Sequence, residues 1–206
     1  MNQTKDISTE QLILETAEKL FLEKGFAMTS TTEIARVSGC NQALVHYYFR
    51  TKENLFQSIF ENKFRMLIST LPIDNQSNKP FEEQLASIVE AHFELIRSNP
   101  KLPFLIFNEL ITNPQRLKTL KQRLGELPRP MFLQLQRQLQ EEIDEGRIRQ
   151  TNILDLLLTM LSLNVMIFLG TPIIQNVMQL SDNEINELYE HRKKENVMII
   201  LRSLRP

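Results

Sequence analysis

The sequence predicts an all-α fold: an N-terminal three-helix domain (residues 1–53) containing a helix-turn-helix motif, and a C-terminal helical domain (54–206). Glycine is scarce, at 5 of 206 residues, tryptophan is absent, and Leu, Ile, Glu, Gln and Lys are abundant. These abundant residues favour helices over strands. We find no convincing run of alternating β-branched residues, the pattern that a half-buried strand would show.

Charge and cysteine content limit the classes of protein that fit. The formal net charge is −1, and residues 1–65 carry eight Lys and Arg against eight Asp and Glu, which argues against an indiscriminate nucleic-acid coat. The single cysteine, Cys40, excludes an internal disulfide and a multi-cysteine zinc site. Because the polar N-terminus lacks the plan of a secretory signal, we expect a cytoplasmic protein.

Three helices account for the N-terminal domain. The first begins at a capping box, at Ser8, and should end near Gly25. The next two are short, with Ser30 and Asn41 as their caps and Gly39 in the turn between them. Helical spacing directs these side chains of the short helices to the core: Ile34, Ala35, Val37, Leu44 and Val45. Helix, glycine turn and helix form the helix-turn-helix pattern, whose second helix can lie in the major groove of DNA.

The outer side of the second short helix carries an unusual set of residues. We call Gln42, Ala43, His46 and Tyr47 the recognition face, because they can bond to base edges, contact thymine methyl groups and donate to phosphates. The alternative is that the aromatic residues only fill a small core. That interpretation suits Phe49, and in part Tyr48, better than it suits His46 and Tyr47.

The C-terminal domain is predicted to contain six further helices after a long one at 52–70 with an apolar face. A polar loop between prolines occupies 72–80, and helices follow at 81–98, 103–113, 114–124 and 128–146. The helix at 114–124 is basic, through Arg116, Lys118, Lys121 and Arg123. These four side chains could touch phosphates, but a solvated face is the favoured interpretation.

The segment 153–170 is apolar nearly all round. A membrane span is disfavoured because Asp155 and Asn164 would be costly in lipid and Pro172 follows at once. Burial on both sides, in its own domain and against a partner, is the favoured interpretation. With the amphipathic helix at 182–204 it predicts a four-helix bundle formed by two chains about a two-fold axis.

Enzyme and metal chemistry find little support. His46, His92 and His191 lie far apart, and HExxH, GxGxxG and GxxxxGK motifs are absent, so we expect neither an enzyme nor a metal or cofactor site. His92, Asn108 and Asn164 interrupt apolar helices. A bond within the protein is the favoured explanation for each, and a ligand contact is the alternative.

Several segments of the N-terminal domain have the composition of a known family: Gly25-Phe26, Thr31-Thr32-Glu33-Ile34-Ala35, Gly39 and His46-Tyr47-Tyr48-Phe49-Arg50-Thr51-Lys52-Glu53. They resemble the DNA-binding domain of the tetracycline-repressor (TetR) family of bacterial regulators. The resemblance is dense from about Ile13 to Phe60, and beyond it only the architecture is similar. It therefore cannot name a ligand.

The resemblance implies a homodimeric transcriptional regulator, usually a repressor, that leaves a near-palindromic operator when a small apolar or amphipathic ligand binds the C-terminal domain. By position it implies phosphate and edge contacts from Thr31 and Thr32, base contacts from the recognition face, and backbone anchors at Tyr48 and Lys52. Many members have a basic residue in place of Gln42 and a tyrosine in place of His46, so the preferred bases do not carry over. The alternatives are a helical ligand-binding protein or scaffold that binds no duplex, and an all-α enzyme.

Overall fold

A computed structural model describes residues 8–70, 79–125 and 128–206. These residues form ten α-helices and no strand, which confirms the predicted all-α class. The helices are α1 (Thr9–Lys24), α2 (Thr31–Val37), α3 (Gln42–Phe49), α4 (Lys52–Thr70), α5 (Phe81–Ser98), α6 (Leu102–Thr112), α7 (Pro114–Leu124), α8 (Pro128–Asp144), α9 (Ile153–Met178) and α10 (Asp182–Ser203). The polar N-terminus before Ser8 and most of the predicted loop, residues 72–78, lie outside the described residues.

The helices form two compact units. The first comprises Met1–Arg65 and Phe104–Leu124, and the second comprises Met66–Pro103 and Gly125–Pro206. This structural division differs from the predicted boundary after residue 53. The predicted boundary separates a DNA-binding part from a ligand-binding and dimerisation part, and that functional division stays a prediction. The difference arises because one apolar core joins α1–α3 to the first half of α4 and to α6 and α7, which contribute Leu105, Leu120 and Leu124.

Aromatic rings dominate the core of the first unit. Phe21 of α1 and Phe56 of α4 are almost fully buried, and their rings lie 5.5 Å apart at a steep angle. The ring of Phe26 lies 5.0 Å from that of Phe56. Arg116 of α7 stacks on this cluster and is only 6% exposed, so the prediction of a solvated or phosphate-binding side chain is wrong. Its guanidinium is instead neutralised by Glu53.

The second unit packs α5 against α9 and α10 around a buried polar network. Asn164 donates to the carbonyl oxygen of Val89 at 2.8 Å and lies 3.1 Å from Nδ1 of His92. Asn196 donates to the side-chain oxygen of Asn164 at 2.9 Å and accepts from Arg192 at 2.6 Å. The favoured explanation of His92 and Asn164, a bond within the protein, therefore holds, and Asn196 is a member that the sequence analysis missed.

Lowering the pH should weaken the fold through His92. Burial lowers the pKa of His92 from 6.5 to about 4. Between these values the unfolded chain binds a proton that the folded chain does not, so the stabilising contribution is complete above the higher value and is lost as the pH falls towards the lower one. A pKa shift of this size corresponds to a contribution of about 3 kcal/mol to the free energy of unfolding.

Denaturant titrations at about pH 7 and about pH 5 test this expectation. His92→Gln should lose less unfolding free energy on acidification than the wild type does. The control is His191→Gln, at an exposed position, which should lose as much as the wild type. Equal pH dependence in the wild type and His92→Gln would contradict the role given to His92.

Helix α9 is longer than predicted. It continues through Pro172 to Met178 instead of ending at Gly170, so the use of that proline as a helix end was wrong. Proline removes one backbone donor, and the neighbouring hydroxyl of Thr171 bonds back to the carbonyl oxygen of Ile167 at 2.5 Å. By length and composition α9 could cross a membrane, a property that it shares with core helices of soluble proteins.

Candidate DNA-binding surface

Local capping and one glycine define the helix-turn-helix motif. Ser30 accepts the backbone N–H of Glu33 at 3.1 Å, and Asn41 accepts that of Leu44 at 2.9 Å. Gly39, in the turn, has φ = +70°, a conformation that side chains with a Cβ rarely adopt. The two caps and the turn lie where the sequence predicts them.

The buried side of the motif is narrower than predicted. Val45 and Phe49, one turn apart, are buried, whereas Leu44 is 36% and Val37 is 48% exposed. The predictions for Leu44 and Val37 are therefore wrong. Helices of seven and eight residues offer few positions to a core, and an i, i+4 pair occupies them in α3.

The recognition face is exposed as predicted. Gln42, Ala43 and His46 lie on the surface, and Tyr47 is 68% exposed. The ring of Tyr48 is partly covered and meets that of Tyr47 edge-on at 5.2 Å. Thr32, at the start of α2, is also exposed, and Thr31 is half-buried beside it.

Polar side chains connect α2 to the recognition face. The hydroxyl of Thr32 donates to the side-chain oxygen of Gln42 at 3.2 Å, and the amide nitrogen of Gln42 donates to the hydroxyl of Thr31 at 3.3 Å. That nitrogen also lies 3.4 Å from Nε2 of His46, and Nδ1 of His46 lies 3.0 Å from the carbonyl oxygen of Arg50. Since a carbonyl only accepts, Nδ1 carries the proton and Nε2 is the acceptor in the neutral ring. Gln42, His46 and Arg50 are spaced i, i+4 in the sequence, and this spacing could have been used to predict these contacts.

Lys52 faces the protein more than the resemblance implies. Its ammonium donates to the carbonyl oxygens of Phe26 and Thr29, at 2.9 Å each, and lies 4.2 Å above the ring of Phe26. Burial, followed by the nearby Arg116, lowers the pKa of Lys52. Two of its N–H donors are thus used within the protein, which leaves one for a phosphate.

Ion pairs neutralise several acids of the first unit. Glu33 pairs with Lys24, Glu18 with Lys63 at 2.6 Å, and Glu53 with Arg116. The exposed Arg36 and Arg50 have no carboxylate partner among the residues that the structure describes. Although residues 1–65 carry no net formal charge, these two guanidinium groups remain available to an anionic partner.

A groove of about 800 Å3 runs along α8 in the second unit. Its lining includes Leu133 and Pro130 as well as the guanidinium groups of Arg129 and Arg137. At its edge the side-chain oxygen of Gln138 is buried and has no hydrogen-bond partner in the described part of the chain. The carboxylate of Glu141 also lines it, so the groove combines apolar, cationic, anionic and hydrogen-bonding groups.

Comparison with known proteins gives the class and then the family. Residues 13–59 match the family described as bacterial regulatory proteins, tetR family, and residues 82–200 match the tetracyclin repressor-like C-terminal domain. The matched domains and the fold are thus those of a helix-turn-helix transcriptional regulator that binds DNA. The chain belongs to the tetracycline-repressor family.

Individual relatives agree with this assignment. The fatty acid metabolism regulator protein of Bacillus subtilis is 25% identical over 138 residues, which cover 67% of this chain and 70% of that protein. The probable regulator YttP of the same organism is 30% identical over 50% of this chain and 51% of its own length. A tetR-family regulatory protein from Rhodococcus has the same fold, with a TM-score of 0.74 at 18% identity over 96% of this chain and 97% of that one.

Proposed function

We propose that the protein is a homodimeric repressor that binds a near-palindromic operator through two copies of the recognition face and leaves it when a small apolar or amphipathic ligand binds the C-terminal domain. The observation that carries the proposal is the exposure of Gln42, His46 and Tyr47 on one side of α3. A helix of this kind fits the major groove, and a two-fold axis would present two of them to successive half-sites. Its place of action would be the cytoplasm.

Individual residues take different roles in this proposal. Thr31 and Thr32 contact phosphates or base edges, the recognition face contacts bases, and Tyr48 and the third donor of Lys52 contact the backbone. Gln42 can pair with adenine, whose edge offers one donor and one acceptor to an amide. Exposure of all these residues except the half-buried Thr31 and Lys52 supports the assignment.

Helices α9 and α10 form the dimer in this proposal. Their exposed apolar residues support it, because a monomer rarely exposes a large continuous apolar surface. On α9 they extend beyond the predicted 153–170: Leu154, Leu158, Met166, Ile173, Ile174, Val177 and Met178; on α10, Met198 is exposed. Two modest half-site affinities then combine, which compensates for the few phosphate contacts that residues 1–65, with eight basic and eight acidic side chains, can make.

The effector proposed for the second unit has an apolar part and an anionic group. The groove along α8 supports this chemistry, because it places Leu133 near the guanidinium of Arg137, while Glu141 lies at the same groove and would face away from an anionic group. The Bacillus subtilis relative is named a fatty acid metabolism regulator protein, and a fatty acid has both an apolar chain and an anionic group. The effector needs only a higher affinity for the conformation that does not fit the operator.

Selection of genomic fragments tests the function. The purified protein is incubated with sheared DNA of its source organism at about 0.15 M salt, and bound fragments are sequenced. Enrichment of one near-palindromic sequence is expected. A scaffold would retain no duplex, and an enzyme would act on a metabolite without regard to DNA, so absence of a common sequence would contradict the proposal.

Fatty acids of graded length are then added to the operator complex. Failure of all to release it would reject that effector class and leave the DNA-binding function intact.

A further inference from the structure

Arg116 of α7 is held in an unusual setting for a cationic side chain. Its Nε donates to one carboxylate oxygen of Glu53 at 2.8 Å and its terminal nitrogen donates to the other at 2.9 Å. Its guanidinium carbon lies 3.9 Å from the ring centre of Phe26 and 4.9 Å from that of Phe56. A bidentate pair that is also stacked on two rings fixes the side chain in position and direction, which a solvated pair does not.

Glu53 lies at the junction between α4 and α3, the helix that carries the recognition face and that we call the recognition helix. It is the second residue of α4, whose first turn is capped by the hydroxyl of Thr51 on the N–H of Asn54 at 3.0 Å. Only Arg50 and Thr51 separate α4 from α3, and Arg50 has φ = +64°, which is rare for a residue with a side chain. So short and specific a connection makes the direction of α3 depend on that of the first turn of α4.

The same junction contains a buried polar side chain that does not contribute to stability in an obvious way. Gln57, one turn after Glu53, is 2% exposed, and its amide nitrogen lies 3.4 Å from Glu53. Its side-chain oxygen is buried without a hydrogen-bond partner among the described residues. In the nearby ion pair the side chain of Arg116 is 7% exposed and that of Glu53 is 44% exposed. An apolar residue of similar volume would commonly serve stability at least as well as the buried, unpaired oxygen of Gln57 or the buried guanidinium of Arg116. The contacts among Arg116, Glu53 and Gln57 are therefore better explained by the fixed position that they give to the first turn of α4 than by a gain in stability.

We propose that Arg116 is a positioning residue for the recognition helix: from α7 it fixes the first turn of α4, and thereby α3, in the direction that DNA binding needs. It touches no DNA in this account. The proposal rests on the DNA-binding function proposed above. Hydrogen bonding and charge from Arg116 lower the pKa of Glu53, so the carboxylate stays ionised and paired at neutral pH.

Salt dependence separates a positioning residue from a phosphate contact. Arg116→Met, which keeps an unbranched stem over the rings, should weaken binding to the selected operator by about 10-fold or more while leaving the slope of log affinity against log salt unchanged. A lost phosphate contact would instead reduce that slope by about 0.9 per site. Arg123→Met is the matched control on the same helix, because Arg123 is 32% exposed and 3.8 Å from Glu61. It should change affinity by less than about 2-fold.

A double-mutant cycle tests the partner. Glu53→Gln and Arg116→Met should each weaken operator binding, and the double variant should bind about as well as the weaker single variant. Fully additive losses would overturn the action of Arg116 through Glu53. If Arg116→Met does not fold, Arg116→Lys takes its place, since lysine keeps the charge and loses the two-pronged contact.

Amide hydrogen exchange gives a result that needs no operator. In the DNA-free protein, Arg116→Met should speed exchange in α3 and the first turn of α4 by about 10-fold relative to α1. A uniform increase across the first unit, with unchanged operator affinity of the folded fraction, would reduce Arg116 to a general stabilising residue and overturn the proposal. If genomic selection yields no operator, the proposed function fails, and the exchange experiment still decides whether Arg116 orders α3.

Discussion

Tyr47→Ala should abolish operator binding and leave the dimer intact. The side chain is 68% exposed, so its removal opens no cavity and should cost little stability. Each lost contact to a base costs about 1–3 kcal/mol, and a two-fold dimer loses it twice, so the affinity should fall by about 100-fold or more. Fluorescence anisotropy with the selected operator at about 0.15 M salt measures the loss.

Two observations complete this test. Tyr47→Phe keeps the ring and removes only the hydroxyl, so it separates stacking or methyl contact from donation to a phosphate. Sedimentation of Tyr47→Ala should show the dimer of the wild type. Loss of dimerisation in that variant, or unchanged operator affinity, would contradict the assignment of Tyr47 to the recognition face.

Leu158→Asp should separate the dimer and thereby remove operator binding. Leu158 lies on α9 and is 60% exposed within one chain, so the monomer tolerates a charge there. In the proposed bundle the carboxylate would be buried against the partner without a counter-ion, which is strongly unfavourable. A single recognition face then binds alone, and the affinity should fall by about 100-fold to 10,000-fold.

Sedimentation equilibrium measures the separation, and anisotropy with the same operator measures the affinity. The matched control is Ile111→Asp on α6, where the replaced side chain is 73% exposed and lies outside the proposed dimer helices. This control should remain dimeric and bind normally. A dimeric Leu158→Asp would show that this part of α9 is not the interface.

Features decided by a few neighbouring residues could be predicted from the sequence. Ser30 and Asn41 cap helices that begin at the next residue, and Gly39 supplies the one backbone conformation that the turn requires. The exposure of Gln42, His46 and Tyr47 was predicted from helical spacing with Leu44 and Val45 in the core, and of these two only Val45 is buried. Each of these depends on contacts within about one turn of helix, which the sequence contains directly.

Features decided by distant partners could not be predicted in the same way. The exposure of Leu44 beside the buried Val45 depends on how much of α3 its neighbours cover. Arg116 is spaced i, i+4 and i+8 with the buried Leu120 and Leu124, so its position on the apolar side of α7 could be predicted. The group that neutralises its charge, Glu53, lies 63 positions earlier and could not. Asn196 lies on the buried side of the amphipathic helix α10, and its hydrogen-bond partner Asn164 is 32 positions away.

The discontinuity of the first unit restricts how such regulators can be recombined. Its core draws Leu105, Leu120 and Leu124 from a segment that lies far along the chain from α1–α4. A chimera spliced just after Arg65 would combine residues 1–65 of one protein, here called the head, with residues 104–124 of another. Apolar surfaces from two different proteins would then have to fit together in one core. Exchange of operator preference between relatives therefore calls for transplanting residues 104–124 together with the head.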